Sequence, residues 1–84
     1  MNTEKIKVFD LGEDKWLSKY RFTVIFLDKK IGFYGCYLYE AIFLNENASE
    51  WKKDAAAYPN YMDGKEISFD DLPEVCKEEI KNKK

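Results

Sequence analysis

Residues 20–27, Tyr-Arg-Phe-Thr-Val-Ile-Phe-Leu, constrain the fold of this chain more than any other stretch. β-Branched and aromatic side chains suit a pleated surface, and Phe22, Val24 and Phe26 fall together on one face. The other face carries Arg21, Thr23, Ile25 and Leu27, so it is apolar in part as well. A strand with apolar groups on both faces belongs inside a sheet rather than at its edge. The chain, at 84 residues, has room for one domain, 1–84, and not for two. A domain of that size buries roughly 60% of its unfolded surface, so its core must be rich in large apolar groups. Six Phe, six Tyr and two Trp meet that need without disulfides or metal.

The flanking segments organise around this strand. Lys5 to Leu11 alternates, with Ile6 and Val8 on one side and Lys7 and Phe9 on the other, as a half-buried strand requires. Gly12-Glu13-Asp14 turns the chain, and Trp16, Leu17 and Tyr20 give the connection enough apolar bulk for a one-turn helix. Asp28-Lys29-Lys30 reads as a charged hairpin turn and Ile31 to Leu38 as the return arm, with Gly32 and Gly35 marking a bulge in preference to a close approach by another backbone or a ligand. Residues 37–44 form a short apolar run that periodicity cannot assign to helix or strand, and strand continuation is the expectation.

Asn47-Ala48-Ser49-Glu50 has the form of a capping box and predicts a helix through Ala57, with Trp51 and Ala55 on its inner face and Pro59 ending it. Asn60 to Gly64 reads as a turn and Lys65 to Phe69 as a last short strand offering Ile67 and Phe69. Asp70-Asp71-Leu72-Pro73-Glu74 then opens a helix whose Leu72, Val75, Cys76 and Ile80 recur at helical spacing and face the sheet. Residues 81–84 read as a frayed tail. The expected fold class is α+β: a small antiparallel sheet of three to four strands packed by two short helices.

Fourteen basic and sixteen acidic side chains leave a formal charge of −2, too weak a field to draw a polyanion or to mimic one. Two cysteines, Cys36 and Cys76, fall short of a disulfide framework and read as free thiols, Cys76 in the core. The first residues lead into no apolar segment and no run approaches the roughly 20 apolar residues of a membrane span, so the expected setting is cytoplasmic with no membrane partner.

Catalytic templates find little material here. The absence of histidine removes the commonest general base, nucleophile partner and zinc ligand together. Cys36 has no His to activate it, and two distant cysteines make no zinc site. Asp10, Glu13, Asp14, Asp28, Glu40, Asp70 and Asp71 offer carboxylates, most of them in turns or at helix starts where capping and solvation account for them. Glu40 differs, since it lies in an apolar run and reads as an outward-facing edge position. Neither Gly32-Phe33-Tyr34-Gly35 nor Asp63-Gly64-Lys65 matches a phosphate-binding loop. The expectation is a chain that is not an enzyme and has no cofactor.

Three segments resemble a loose set of short proteins encoded by bacteriophages and related mobile elements. They are Tyr20-Arg21-Phe22-Thr23-Val24-Ile25, Tyr34-Gly35, and Gly64-Lys65-Glu66-Ile67-Ser68-Phe69-Asp70-Asp71-Leu72-Pro73-Glu74. The resemblance implies no activity. It implies a setting, a bacterial cell in which a mobile element acts on host machinery.

Beyond the core's needs the chain carries a surplus of amphipathic rings: Trp16, Tyr34, Tyr37, Tyr39, Trp51, Tyr58 and Tyr61. Tyr and Trp anchor protein interfaces because each offers a large rigid contact with a polar tip. With Arg21, these residues are the interface candidates. The leading expectation is a non-enzymatic protein-interaction module of a phage or mobile element. Its partner is a host or element protein, as for an inhibitor of a host defence or regulatory protein, or a second copy paired through a sheet edge. The alternative is a small-molecule or nucleotide-sequestering protein, its rings sandwiching a base and Arg21 or Lys30 holding phosphate. Nucleic acid is not the expected partner, since the aromatics come without a basic excess; Arg21, Lys29 and Lys30 beside Tyr34 make at most a small basic spot.

Overall fold

The computed structural model describes residues 5–12, 19–33, 35, 37–58 and 64–83. Five strands among them, β1 (Ile6–Asp10), β2 (Phe22–Phe33), β3 (Tyr37–Leu44), β4 (Trp51–Ala57) and β5 (Lys65–Ile67), form one antiparallel sheet in the order β4-β3-β2-β1-β5. A 3-10 turn over Phe69–Asp71 and the helix α1 (Glu74–Lys83) follow.

As its two apolar faces require, β2 lies in the middle, bonded to β1 and β3. One face of the sheet collects Ile6, Val8, Phe22, Val24, Phe26, Ile42 and Leu44, and against it pack Leu72, Cys76 and Ile80. This helix-covered face holds most of the buried core, at roughly 1.5–3 kcal/mol for each large side chain removed from water. The opposite face carries a smaller cluster, Phe9, Ile25, Ala41 and Ala56, bordered by half-buried Leu27, Tyr39, Phe43 and Tyr58. The 3-10 turn that leads into α1 is capped locally. The Ser68 hydroxyl accepts from the Asp70 N–H, and the Asp71 carboxylate accepts from the Ser68 N–H, so a reciprocal cap turns the chain from β5 toward the helix. Just before β5, Gly64 has φ +90°, and a Cβ there would stand 2.6 Å from the Asp10 carbonyl oxygen. Only glycine lets the chain come that close to β1.

Several expectations need correction. The sheet has five strands rather than three or four, and one α-helix rather than two is found among the described residues. Asp28-Lys29-Lys30 is no turn: β2 continues to Phe33, with register shifts between Phe26 and Lys30 and between Lys30 and Gly32. The bulge expected near Gly32 exists but is larger, and the chain reverses after Phe33, with Gly35 at φ +72°.

The segment 51–57 is strand, not helix. The Asn45 side-chain oxygen accepts from both Asn47 N–H and Ser49 N–H, at 3.1 and 3.0 Å, and Ala48 takes φ +55°. These bonds close a tight turn instead of capping a helix, so the side-chain oxygen that matters belongs to Asn45 and not Asn47. Pairing with β3 then outweighs the helix propensity of Ala55-Ala56-Ala57. Val75 is 51% exposed and leaves the core-facing stripe to Leu72, Cys76 and Ile80. Residues 37–44 are strand, as expected, but β3 is interior, so Glu40 does not sit on an edge. The one-turn helix expected after Gly12 and the turn at Asn60 to Gly64 fall largely outside the described residues, as do Cys36 and Pro59. No helix of the described residues is long and apolar enough to cross a membrane.

Candidate functional site

Among the described residues β1 pairs with β2 over Phe22 to Phe26, and beyond Phe26 the β2–β3 hairpin runs on past Ile6, where β1 begins. The bulges in this overhang spread the stretch from Phe26 to Lys30 against the single step from Glu40 to Tyr39. They also change which residues share a face: Lys30 comes opposite Tyr39, Gly32 opposite Leu38, and Phe33 opposite Tyr37. The last pair before the reversal is therefore aromatic on both strands. The Phe33 and Tyr37 rings meet edge to face at 5.4 Å between centroids. They are nevertheless 68% and 49% exposed, and Ile31 beside them is exposed too. The Lys30 ammonium stands over the Tyr37 ring, 4.3 Å from its centre, a geometry in which a cation is held by the ring's negative face. The hairpin end is thus an exposed apolar patch with a positive charge fixed at its rim. Burial of such rings removes on the order of 150–250 Å² each from water.

The other sequence candidates do not converge on this end. Tyr39 and Tyr58 form a ring contact at 6.4 Å, and Tyr58 meets Phe9 at 6.1 Å, so these two half-buried tyrosines border the core on the face opposite α1. Trp51 lies on the helix-covered side and lines a shallow cleft of about 150 Å³ with Phe26, Lys29, Glu40, Ile42 and Lys53. Arg21 sits at the opposite end of the sheet, with its guanidinium on the Asp10 carboxylate. Trp16, Tyr34 and Tyr61 fall outside the described residues. Ile31 and Phe33 were missed by a search for Tyr and Trp. Their exposure follows from the register shifts between Phe26 and Lys30 and between Lys30 and Gly32, which the alternation of the sequence does not signal.

Glu40 is the carboxylate with the most developed surroundings. Lys53 Nζ lies 2.5 Å from one oxygen and Lys29 Nζ 3.6 Å from the other. The Lys53 hydrogen bond, with Lys29 adding its charge, holds the carboxyl below its usual range against the opposing effect of burial. A carboxylate kept ionised and occupied by two ammonium groups is poorly suited to give or take a proton near neutrality. Cys76 is buried, its thiol donating to the carbonyls of Asn45 at 3.5 Å and Glu46 at 3.8 Å. Burial pushes its pKa up, away from the reactive thiolate. No group of three or more His, Cys, Asp and Glu side chains is placed to hold a metal ion among the described residues. The chain matches no protein-family model, no curated protein and no solved structure.

Proposed function

We propose that this chain is a non-enzymatic protein-interaction module of a bacteriophage or related mobile element, docking on a host or element protein through the hairpin end of Ile31, Phe33 and Tyr37. The observation that carries the reading is the Phe33–Tyr37 pair: two rings pre-arranged edge to face, yet largely exposed. Rigid, pre-positioned aromatics lose little entropy on docking and act as anchors at interface centres. Lys30 adds a charge whose complement on the partner would fix orientation more than affinity. The mobile-element setting draws on the three segments that resemble such proteins. A partner in host machinery, as for an inhibitor of a defence or regulatory protein, is the form the module takes in that setting.

Nucleotide sequestration draws no support from the cleft at Trp51, whose 150 Å³ falls below the roughly 300–1,000 Å³ of small-molecule sites. Of the two side chains expected to hold a phosphate, Arg21 is engaged by the Asp10 carboxylate and Lys30 stands over the Tyr37 ring. The test is binding by a double variant, Phe33→Ser with Tyr37→Ser, compared with the parent chain in bacterial lysate. A host protein retained by the parent and lost by the variant, at unchanged melting temperature, is the expected result. Equal retention by both would overturn the assignment of the surface.

A further inference from the structure

The cleft beside Trp51 is built by three strands: Phe26 and Lys29 come from β2, Glu40 and Ile42 from β3, and Trp51 and Lys53 from β4. Neither α1 nor the hairpin-end residues Ile31, Phe33 and Tyr37 line it. Phe26 and Ile42, 3% and 2% exposed, give it an apolar base, and the Trp51 indole, 42% exposed, gives it an aromatic side. Its volume of about 150 Å³, too small for a nucleotide, matches a cavity that holds one benzene ring. The cleft therefore has the size and the lining for a single six-membered ring.

Charge at the rim selects among ligands of that size. Glu40 is the sole acid lining the cleft, and two ammonium groups share it, Lys53 at 2.5 Å and Lys29 at 3.6 Å. The cleft thus keeps a surplus of one positive charge. Lys29 is the looser of the two, and its ammonium also stands 5.7 Å from the centre of the Phe26 ring, at the apolar base. We infer that the cleft binds a small aromatic monocarboxylate, its ring against Phe26 and Trp51 and its carboxylate on the Lys29 ammonium. A short swing of the flexible Lys29 stem moves its charge from Glu40 to the ligand and leaves Lys53 on Glu40. Two ammonium groups that shared one acid then have one each. A neutral ring of the same shape leaves the surplus charge unmatched. A phosphate dianion brings more charge than the rim can match and offers nothing apolar to Phe26 and Ile42.

The inference goes beyond the interaction-module reading and concerns a surface separate from the hairpin end. Titration of the isotope-labelled chain with benzoate, followed by nuclear magnetic resonance over roughly 0.1–30 mM at constant ionic strength, tests it. Benzamide is the neutral counterpart of the same shape. Benzoate is expected to give saturable shifts of the backbone N–H signals of Lys29, Glu40 and Lys53, with a Kd of about 1–5 mM, and benzamide no saturation. Lys29→Met keeps the apolar stem, removes the charge and is expected to abolish saturation by benzoate. Glu40→Gln removes the like charge beside the ligand and is expected to tighten benzoate about threefold. No saturation by benzoate, equal binding of benzamide, benzoate binding unchanged in Lys29→Met or no tighter in Glu40→Gln would each overturn the proposal. Every one of these outcomes leaves the Phe33 and Tyr37 surface to be judged on its own partner binding.

Discussion

Arg21 closes its guanidinium on Asp10, Nε donating to one carboxylate oxygen at 2.9 Å and Nη2 to the other at 3.2 Å. The first of these oxygens also accepts the Gly12 N–H at 2.7 Å. Asp10 ends β1 and Arg21 stands just before β2, so the pair clamps the mouth of their connection. The Arg21 hydrogen bond, with the Gly12 N–H adding to it, holds the Asp10 carboxyl below its usual range. A carboxyl depressed in the folded state stabilises above its unfolded pKa, and that contribution is lost as pH falls through the folded value. Glu40 follows the same sign.

Asp10→Asn should therefore cost about 1 kcal/mol at pH 7, as expected for a bidentate but partly exposed pair. The parent should lose stability steeply as pH drops below about 4, and the variant should lose less, retaining the parts due to Glu40 and to Asp54, whose carboxyl the Lys52 hydrogen bond also holds down. Urea unfolding at a series of pH values from neutral to acid measures both. Parallel curves for parent and variant would remove the pair from the pH dependence.

The helix depends on a narrow stripe. Ile80 is fully buried against the sheet while Val75, on the same helix, is exposed. Ile80→Ala should cost about 2–5 kcal/mol, enough to unfold much of a domain this small, whereas Val75→Ala should stay within about 0.5 kcal/mol. Equal losses in thermal or urea unfolding would contradict the placement of α1.

Cys76 should be silent to thiol reagents in the folded protein. In a Cys36→Ser background, its raised pKa and its position under Asn45 and Glu46 leave reaction to proceed only through opening. The expected record is negligible labelling in native buffer and full labelling after denaturation. Rapid native labelling would mean that α1 does not cover the sheet as described.

The centre of the fold was legible in the sequence because local pattern and tertiary demand agree there. Ile6 and Val8 alternate as the sheet uses them, Phe22, Val24 and Phe26 face the helix, and Leu72, Cys76 and Ile80 take the spacing of a packed helix. The edges were not legible, because there the two disagree. Ala55-Ala56-Ala57 favours helix in isolation, and only the ladder to β3 makes it strand. Asn47 looked like a cap, while the chain turns on the Asn45 side chain two residues earlier. At the candidate site, Tyr37 was legible as an exposed ring. Phe33 was not, since its exposure depends on bulges that no alternation pattern reveals.

Site-specific photo-crosslinking tests the central claim most directly. A photoreactive phenylalanine analogue placed at position 33 is compared, in bacterial host cells, with the same analogue at exposed Val75 on the helix. The account predicts a discrete adduct of one additional protein from position 33, lost when Tyr37 is also changed to Ser, and none from position 75. The same adducts from both positions, or none from position 33, would contradict the hairpin end as a docking surface.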